Sequence, residues 1–294
     1  MKQFLCNILI GVAFFLILLL PIECFIVPNI PNAYSYKYNY VEKHKDDISI
    51  LLMGNSYFEN SINPNLIGDS VFDLAVSARW IYYDKELLEI FIPQMSNLSA
   101  VVYPIGYKMP FINYEYNPIL DFQHEKYMHV WYNEFPQNIL RWFAITHGGR
   151  VGFEPSICDK DWNGYVPLEG NGGDTWKEQQ NILPEIIHGA DREQNLSDYT
   201  HYLIEIARIC QENEVRFIAV TPPCHDSFNE NTRPEGMQTL FKIIHKVQEV
   251  APLEYKNYLF DNEFRADSLY FNCSHLNTIG ADKFALLIKK EFNL

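Results

Sequence analysis

The stretch ISILLMGNSYFENSINP, residues 48–64, sets an apolar run, the step Gly54-Asn55-Ser56 and a polar segment closed by Pro64 in direct succession. Gly, Asn and Ser are the residues turns are made from, so one reading is a surface turn. The other is a buried strand that ends here in order to hold Ser56 at its carboxyl end. The flanking sequence separates the two.

Strands and helices alternate on both sides of this stretch. After ISILLMG, a second strand is predicted over SVFDLAVS (70–77) and a third over SAVVYPIGY (99–107), nearly continuously apolar as a strand covered on both faces must be. Between them, WIYYDKELLEIFIPQM (80–95) carries Ile81, Leu87, Leu88, Phe91 and Ile92 at helical spacing. Beyond residue 190 the pattern resumes: helix 196–214, strand 215–223, helix 236–251, strand 255–262 and helix 277–292. Such alternation implies a parallel sheet between two helical layers. Ligands of such sheets gather outside the carboxyl ends of the strands. Ser56 stands at one such end, Ser77 and Ala78 follow the second strand, Gly106 the third and His225 the fourth. The Gly-Asn-Ser step therefore reads as a site.

The chain has 294 residues, 48% of them hydrophobic and 15% aromatic, enough for a large core. Its net charge of −14 excludes the basic footprint that nucleic acid requires. Residues 4–27 form an apolar segment with Asn7 and Glu23 as its strongly polar members, long enough for a ~30 Å hydrocarbon layer. A cleaved signal peptide is the rival reading, but no small-x-small cleavage pattern precedes Tyr34. An uncleaved single-pass anchor is expected, with Pro21 kinking or ending the helix. Lys2 is the one basic residue near it before Lys37, which places the amino terminus in the cytoplasm and the rest in the periplasm or outside the cell. Residues 28–47 read as a linker or an arm lying over the domain, and 48–294 as one α/β domain with an elaborated insertion at about 108–190. Six scattered cysteines show no metal-clip spacing, and neither a metal site nor a cofactor is expected.

A serine needs a base within hydrogen-bond reach to become a nucleophile. His275, in SLYFNCSHLNTIGADKF (268–284), precedes a helix whose start is marked by Thr278 and whose core face is read as Ile279, Phe284 and Leu287. The early Gly-x-Ser followed by Ile62-Asn63-Pro64, with the late His-Leu-Asn-x-x-Gly at 275–280, resembles the SGNH/GDSL hydrolases, in particular their membrane-anchored branch encoded among cell-envelope polysaccharide genes. The resemblance implies a three-layer αβα sandwich of flavodoxin type and ester chemistry with Ser56 as nucleophile and His275 as general base. It implies an oxyanion hole from the backbone N–H of Ser56 and of the Ser77-Ala78 loop.

Three positions depart from that pattern. Asn55 replaces the Asp of Gly-Asp-Ser. The oxyanion asparagine after the third strand is absent, leaving a Gly106 N–H or the Tyr107 hydroxyl to substitute. The triad acid, three residues before the histidine, is Asn272, which orients an imidazole but supplies no charge; Asp267 or Asp261 is the substitute. Asn55, Arg79, Tyr107 and His225 are the expected substrate contacts. The function implied is a membrane-anchored esterase or O-acyltransferase acting on acyl, chiefly acetyl, esters of an envelope or exported glycan, partnered by a multi-spanning membrane acyltransferase. The alternative is a catalytically degenerate glycan-binding or assembly subunit.

Overall fold

The apolar run ahead of Gly54 forms β1 (Ile50–Leu52), an interior strand of a five-stranded sheet. With β2 (Val71–Asp73), β3 (Ala100–Pro104), β4 (Arg216–Thr221) and β5 (Glu254–Asn257), the order is β2-β1-β3-β4-β5 and every pairing is parallel. The computed structural model describes residues 1–22, 25, 32–111, 127–130, 162–174, 176–177 and 192–294. Most of the insertion expected at 108–190, with Trp131 and Trp142, lies outside them, as do Cys24 and Cys158.

Two compact units divide the chain. The first comprises Met1–Tyr36 with Asn117–Cys158, the second Lys37–Tyr116 with Asp159–Leu294. In the first, α1 (Lys2–Pro21) is apolar apart from Lys2, Gln3 and Asn7, ends at Pro21 and at 20 residues is long enough to cross a membrane. The second unit holds the sheet and all residues discussed below. It starts within α2 (Ala33–His44), in the stretch read from sequence as a linker or an arm, and Lys37 and Val41 are wholly buried there.

Side chains alternate across a strand, so each strand serves two layers. Ile50, Leu52, Val71, Ala100, Val102, Ile218 and Val220 share one core with Phe284, Ala285 and Ile288 of α9 (Thr278–Phe292), and the short α4 (Pro64–Ile67) packs on the same helix. Leu51, Phe72, Val101 and Phe217 lie in register on the opposite face. There Tyr40 of α2 stacks on Phe72, Tyr38 meets Phe91 of α5 (Ile81–Phe91), and Tyr103 donates to Asp84 of α5. Helix α6 (Arg192–Glu212) packs on α5 and on α8 (Pro234–Gln248), completing that layer. The result is an α/β fold with helices on both faces of a parallel sheet.

Element boundaries shift by a few residues from the sequence reading, with two substantive differences. Ile279 is 64% exposed, and α9 buries Gly280, Ala281, Phe284, Ala285 and Ile288 instead, a stripe set by its start at the Asn277 cap, whose side chain accepts from Gly280 N–H. His275 belongs to an antiparallel hairpin of β6 (Tyr270–Asn272) and β7 (His275–Leu276), where the sequence reading has no strand.

Candidate active site

At the carboxyl end of β1 the chain turns sharply at Gly54, whose φ of 105° favours glycine. A Cβ there would stand 2.6 Å from the Pro104 ring at the end of β3, so both backbone angle and space demand glycine. Asn55 then caps the one-turn helix α3 (Ser56–Glu59), its Oδ1 accepting from Tyr57 N–H at 3.1 Å. Capping accounts for this side chain, which is buried, and the structure does not offer it as a substrate contact. Ser56, first residue of α3, is partly exposed, and its N–H has no hydrogen-bond partner among the described residues.

The β6–β7 hairpin carries the second half of the site to this point. His275 Nε2 lies 2.8 Å from Ser56 Oγ, joining residues 219 positions apart. Its Nδ1 lies 3.0 Å from Asn272 Oδ1 and 3.1 Å from Ser274 Oγ. Asn272 Oδ1 also accepts the N–H of Ser274 (3.0 Å) and of His275 (2.9 Å). Two fixed backbone donors at one atom identify it as the amide oxygen. That oxygen therefore takes the Nδ1 proton, leaving the Nε2 lone pair facing the serine hydroxyl. The Tyr57 ring stacks on the imidazole at 5.5 Å, and Gly106 leaves room for Tyr57, since a Cβ would come within 2.6 Å of that ring.

The loop after β2 is tied down along its length. Leu74 N–H donates to Leu52 O, Ala75 N–H to Asp73 Oδ1, Val76 N–H to Gly54 O, Ser77 N–H to Glu59 Oε2 and Arg79 N–H to Val76 O. Ala78, at a φ of 59°, is exposed and its N–H has no partner among the described residues. Gly106 N–H donates to Met109 Sδ at 3.1 Å, which removes it from the expected oxyanion role.

Three expected substrate contacts face elsewhere. Arg79 is 1% exposed, and its guanidinium donates to Leu74 O and pairs with the buried Asp84 at 3.2 Å. Tyr107 is buried with its hydroxyl accepting from Arg233 N–H. His225 is 5% exposed and caps the short helix α7 (Asp226–Asn229): Nδ1 accepts from Ser227 N–H, and Nε2 lies 2.9 Å from Asp267 Oδ1. Asp267 is thus held by His225 and Lys177, and Asp261 caps the turn at Glu263, so neither carboxylate is on His275. The backbone N–H of His225 donates to Cys273 O, bracing the hairpin from β4.

Burial, with the nearby Lys108 charge second, lowers the His275 pKa to about 4 and keeps the ring neutral at ordinary pH. Beneath the β2 loop lies a buried polar cluster that sequence reasoning missed: Lys37, Glu59, Asp73, Arg79 and Asp84. Burial raises the Asp73 pKa to about 7 against the lowering effect of Lys37.

These features define an α/β protein with a serine–imidazole pair at the carboxyl edge of a parallel sheet. No family model and no curated protein matches the chain. Among solved structures, a candidate acylhydrolase from Bacteroides fragilis is 9% identical, with a TM-score of 0.46 over 86% of this chain and 94% of that one. A candidate platelet activating factor from Streptococcus pneumoniae is 10% identical, with a TM-score of 0.45 over 97% and 99%.

Proposed function

We propose that this protein is a membrane-anchored serine esterase or O-acyltransferase of the SGNH kind, acting on acyl, chiefly acetyl, esters of a cell-envelope or exported polysaccharide. The observation that carries the reading is the 2.8 Å contact between Ser56 Oγ and His275 Nε2, with Asn272 holding the other ring nitrogen. The strand order 2-1-3-4-5, the flavodoxin-type order, supports it, since ligands of such sheets bind where Ser56 lies.

In this reading His275 Nε2 takes the hydroxyl proton as Ser56 Oγ attacks the ester carbonyl. The carbonyl oxygen becomes an oxyanion facing the N–H groups of Ser56 and Ala78, and His275 returns the proton to the departing alcohol. Water then cleaves the acyl-enzyme, or a sugar hydroxyl accepts the acyl group; both use the same serine. Asn272 fixes the tautomer but leaves the imidazolium unneutralised. Helix α1 anchors the body outside the cytoplasm, where a multi-spanning acyltransferase would supply or receive the acyl group.

The test is a fluorophosphonate probe and p-nitrophenyl acetate turnover on the full chain in detergent, with Ser56→Ala as control. Labelling and turnover abolished by the substitution are the expected result. The missing charge at position 272 favours a second reading, a glycan-binding or assembly subunit. Absent labelling, or labelling that survives Ser56→Ala, decides for that one.

A further inference from the structure

We propose that Glu59 is a positioning residue that locks the Ser77-Ala78 loop onto the helix bearing Ser56 and so sets the Ala78 N–H as the second oxyanion donor. The inference rests on reading Ser56 as the nucleophile and goes beyond it by assigning a role to the buried polar cluster. Glu59 lies one turn after Ser56 on α3, and its backbone carbonyl accepts Val166 N–H at 2.9 Å, so the residue is held from both ends. One carboxylate oxygen, Oε2, takes both donors of Ser77, the N–H at 2.7 Å and the hydroxyl. The other, Oε1, faces Lys37 Nζ at 3.4 Å, and the same ammonium donates to Ala75 O.

The consequence is a division of labour along the loop. From Leu74 to Arg79 every N–H has a partner among the described residues except that of Ala78. Ser77 and Ala78 are exposed, and Ala78 stands in the left-handed region, which a residue with a Cβ leaves unless its neighbours hold it there. Asp73 and Lys37 fix Ala75 on one side, and the Arg79 guanidinium on Leu74 O fixes the other. At the exposed corner itself the clamp is Glu59. Its buried carboxylate couples the nucleophile helix and the donor loop into one rigid piece, and Lys37 makes helix α2 part of the same piece.

Glu59→Gln separates this role from general stability. The amide oxygen can serve Ser77 or Lys37, but the NH2 then faces a donor on the other side. The variant and the wild-type full chain in detergent are compared for kcat and KM on p-nitrophenyl acetate, and for amide hydrogen exchange across residues 74–80. Expected are a kcat lower by about 10- to 100-fold, since losing an oxyanion donor outright costs ~10²–10³-fold, with KM within about twofold. Exchange at Ser77 should quicken while amides of β1 and β3 keep wild-type rates. Unchanged kcat with unchanged exchange overturns the proposal, as does a loss confined to KM. A wild type that turns over no ester sinks the nucleophile reading instead, and exchange at Ser77 alone then decides whether Glu59 holds the loop. If Glu59→Gln fails to fold, Ser77→Ala removes only the hydroxyl that Glu59 holds; a kcat lowered several-fold at an unchanged unfolding temperature supports the clamp, and an unchanged kcat counts against it.

Discussion

Replacing Asn272 by Asp should accelerate ester turnover by about 30-fold, and the geometry sets that figure. Asn272 Oδ1 lies 3.0 Å from His275 Nδ1 and already accepts the N–H groups of Ser274 and His275, so a carboxylate fits without rebuilding the hairpin. Two unit charges ~4 Å apart attract by ~4 kcal/mol at an effective dielectric constant of ~20. Asn272 is partly exposed, and screening halves this to ~2 kcal/mol of preferential stabilisation of the imidazolium. At ~1.4 kcal/mol per decade, that is about 30-fold in kcat. The gain is far below the ~10⁴-fold that serine proteases lose on the reverse change, because much of that loss reflects a wrong tautomer, whereas Asn272 already holds the correct one. The assay is kcat for p-nitrophenyl acetate at pH 7, with the acid limb of kcat/KM recorded alongside. The limb should move up from the region of pH 4 toward the ordinary imidazole range, because an adjacent carboxylate favours the protonated ring. A kcat and an acid limb both indistinguishable from wild type would refute the assignment of position 272 as the orienting partner.

Lys108→Met removes the second cause of the low His275 pKa; the acid limb should rise but stay below 6.5, since burial remains, and the pH–rate profile reads it. Gly54→Ala meets both a φ of 105° and the Pro104 ring at 2.6 Å, so it should destabilise the fold by ~2–5 kcal/mol, measured as the urea midpoint times the slope. Asp73 is raised to about 7 from 3.8, so the folded state binds more protons than the unfolded one across that interval, and stability must fall as pH rises through it. That loss is on the order of 4 kcal/mol between pH 4 and 8 and should be missing in Asp73→Asn, which keeps an oxygen for Ala75 N–H; urea denaturation at a series of pH values compares the two slopes.

The sheet was legible because parallel strands buried on both faces leave near-continuous apolar runs, and Ile50–Leu52 and Ala100–Pro104 are such runs. Helix α5 was legible because Ile81, Leu87, Leu88 and Phe91 repeat at helical spacing and are all buried. The β6–β7 hairpin was not, since strands of three and two residues are too short to show a period. Arg79 shows why contacts were harder to read than elements. Beside a glycine-free exposed loop an arginine looks like a surface cation, and only the packing of α5 against Tyr103 brings Asp84 to it in the interior. Lys37 and Glu59, 22 positions apart, carry no sequence signal for their pairing; a charged residue reads as solvated unless its distant partner is known. His225 and Asp267 stand at the strand end and turn where sequence placed a substrate contact and a substitute acid, but Ser227 N–H claims one ring nitrogen of His225 and Asp267 the other.

That pairing bears on how the site must divide its catalytic work. With Asp267 spent on His225 and Lys177, the His275 ring has a neutral amide behind it and the Lys108 charge nearby, and both disfavour the imidazolium that forms as Ser56 gives up its proton. A transition state contains two nascent charges, and stabilisation withheld from the cation must come from the anion side. The N–H of Ser56 at the start of α3 and of Ala78 in its pinned loop are the groups left unpartnered for that purpose among the described residues. Oriented backbone donors need no rearrangement at the moment of reaction. The rigid clamp through Glu59 and Lys37 is therefore where a site with a weak base has to be strong.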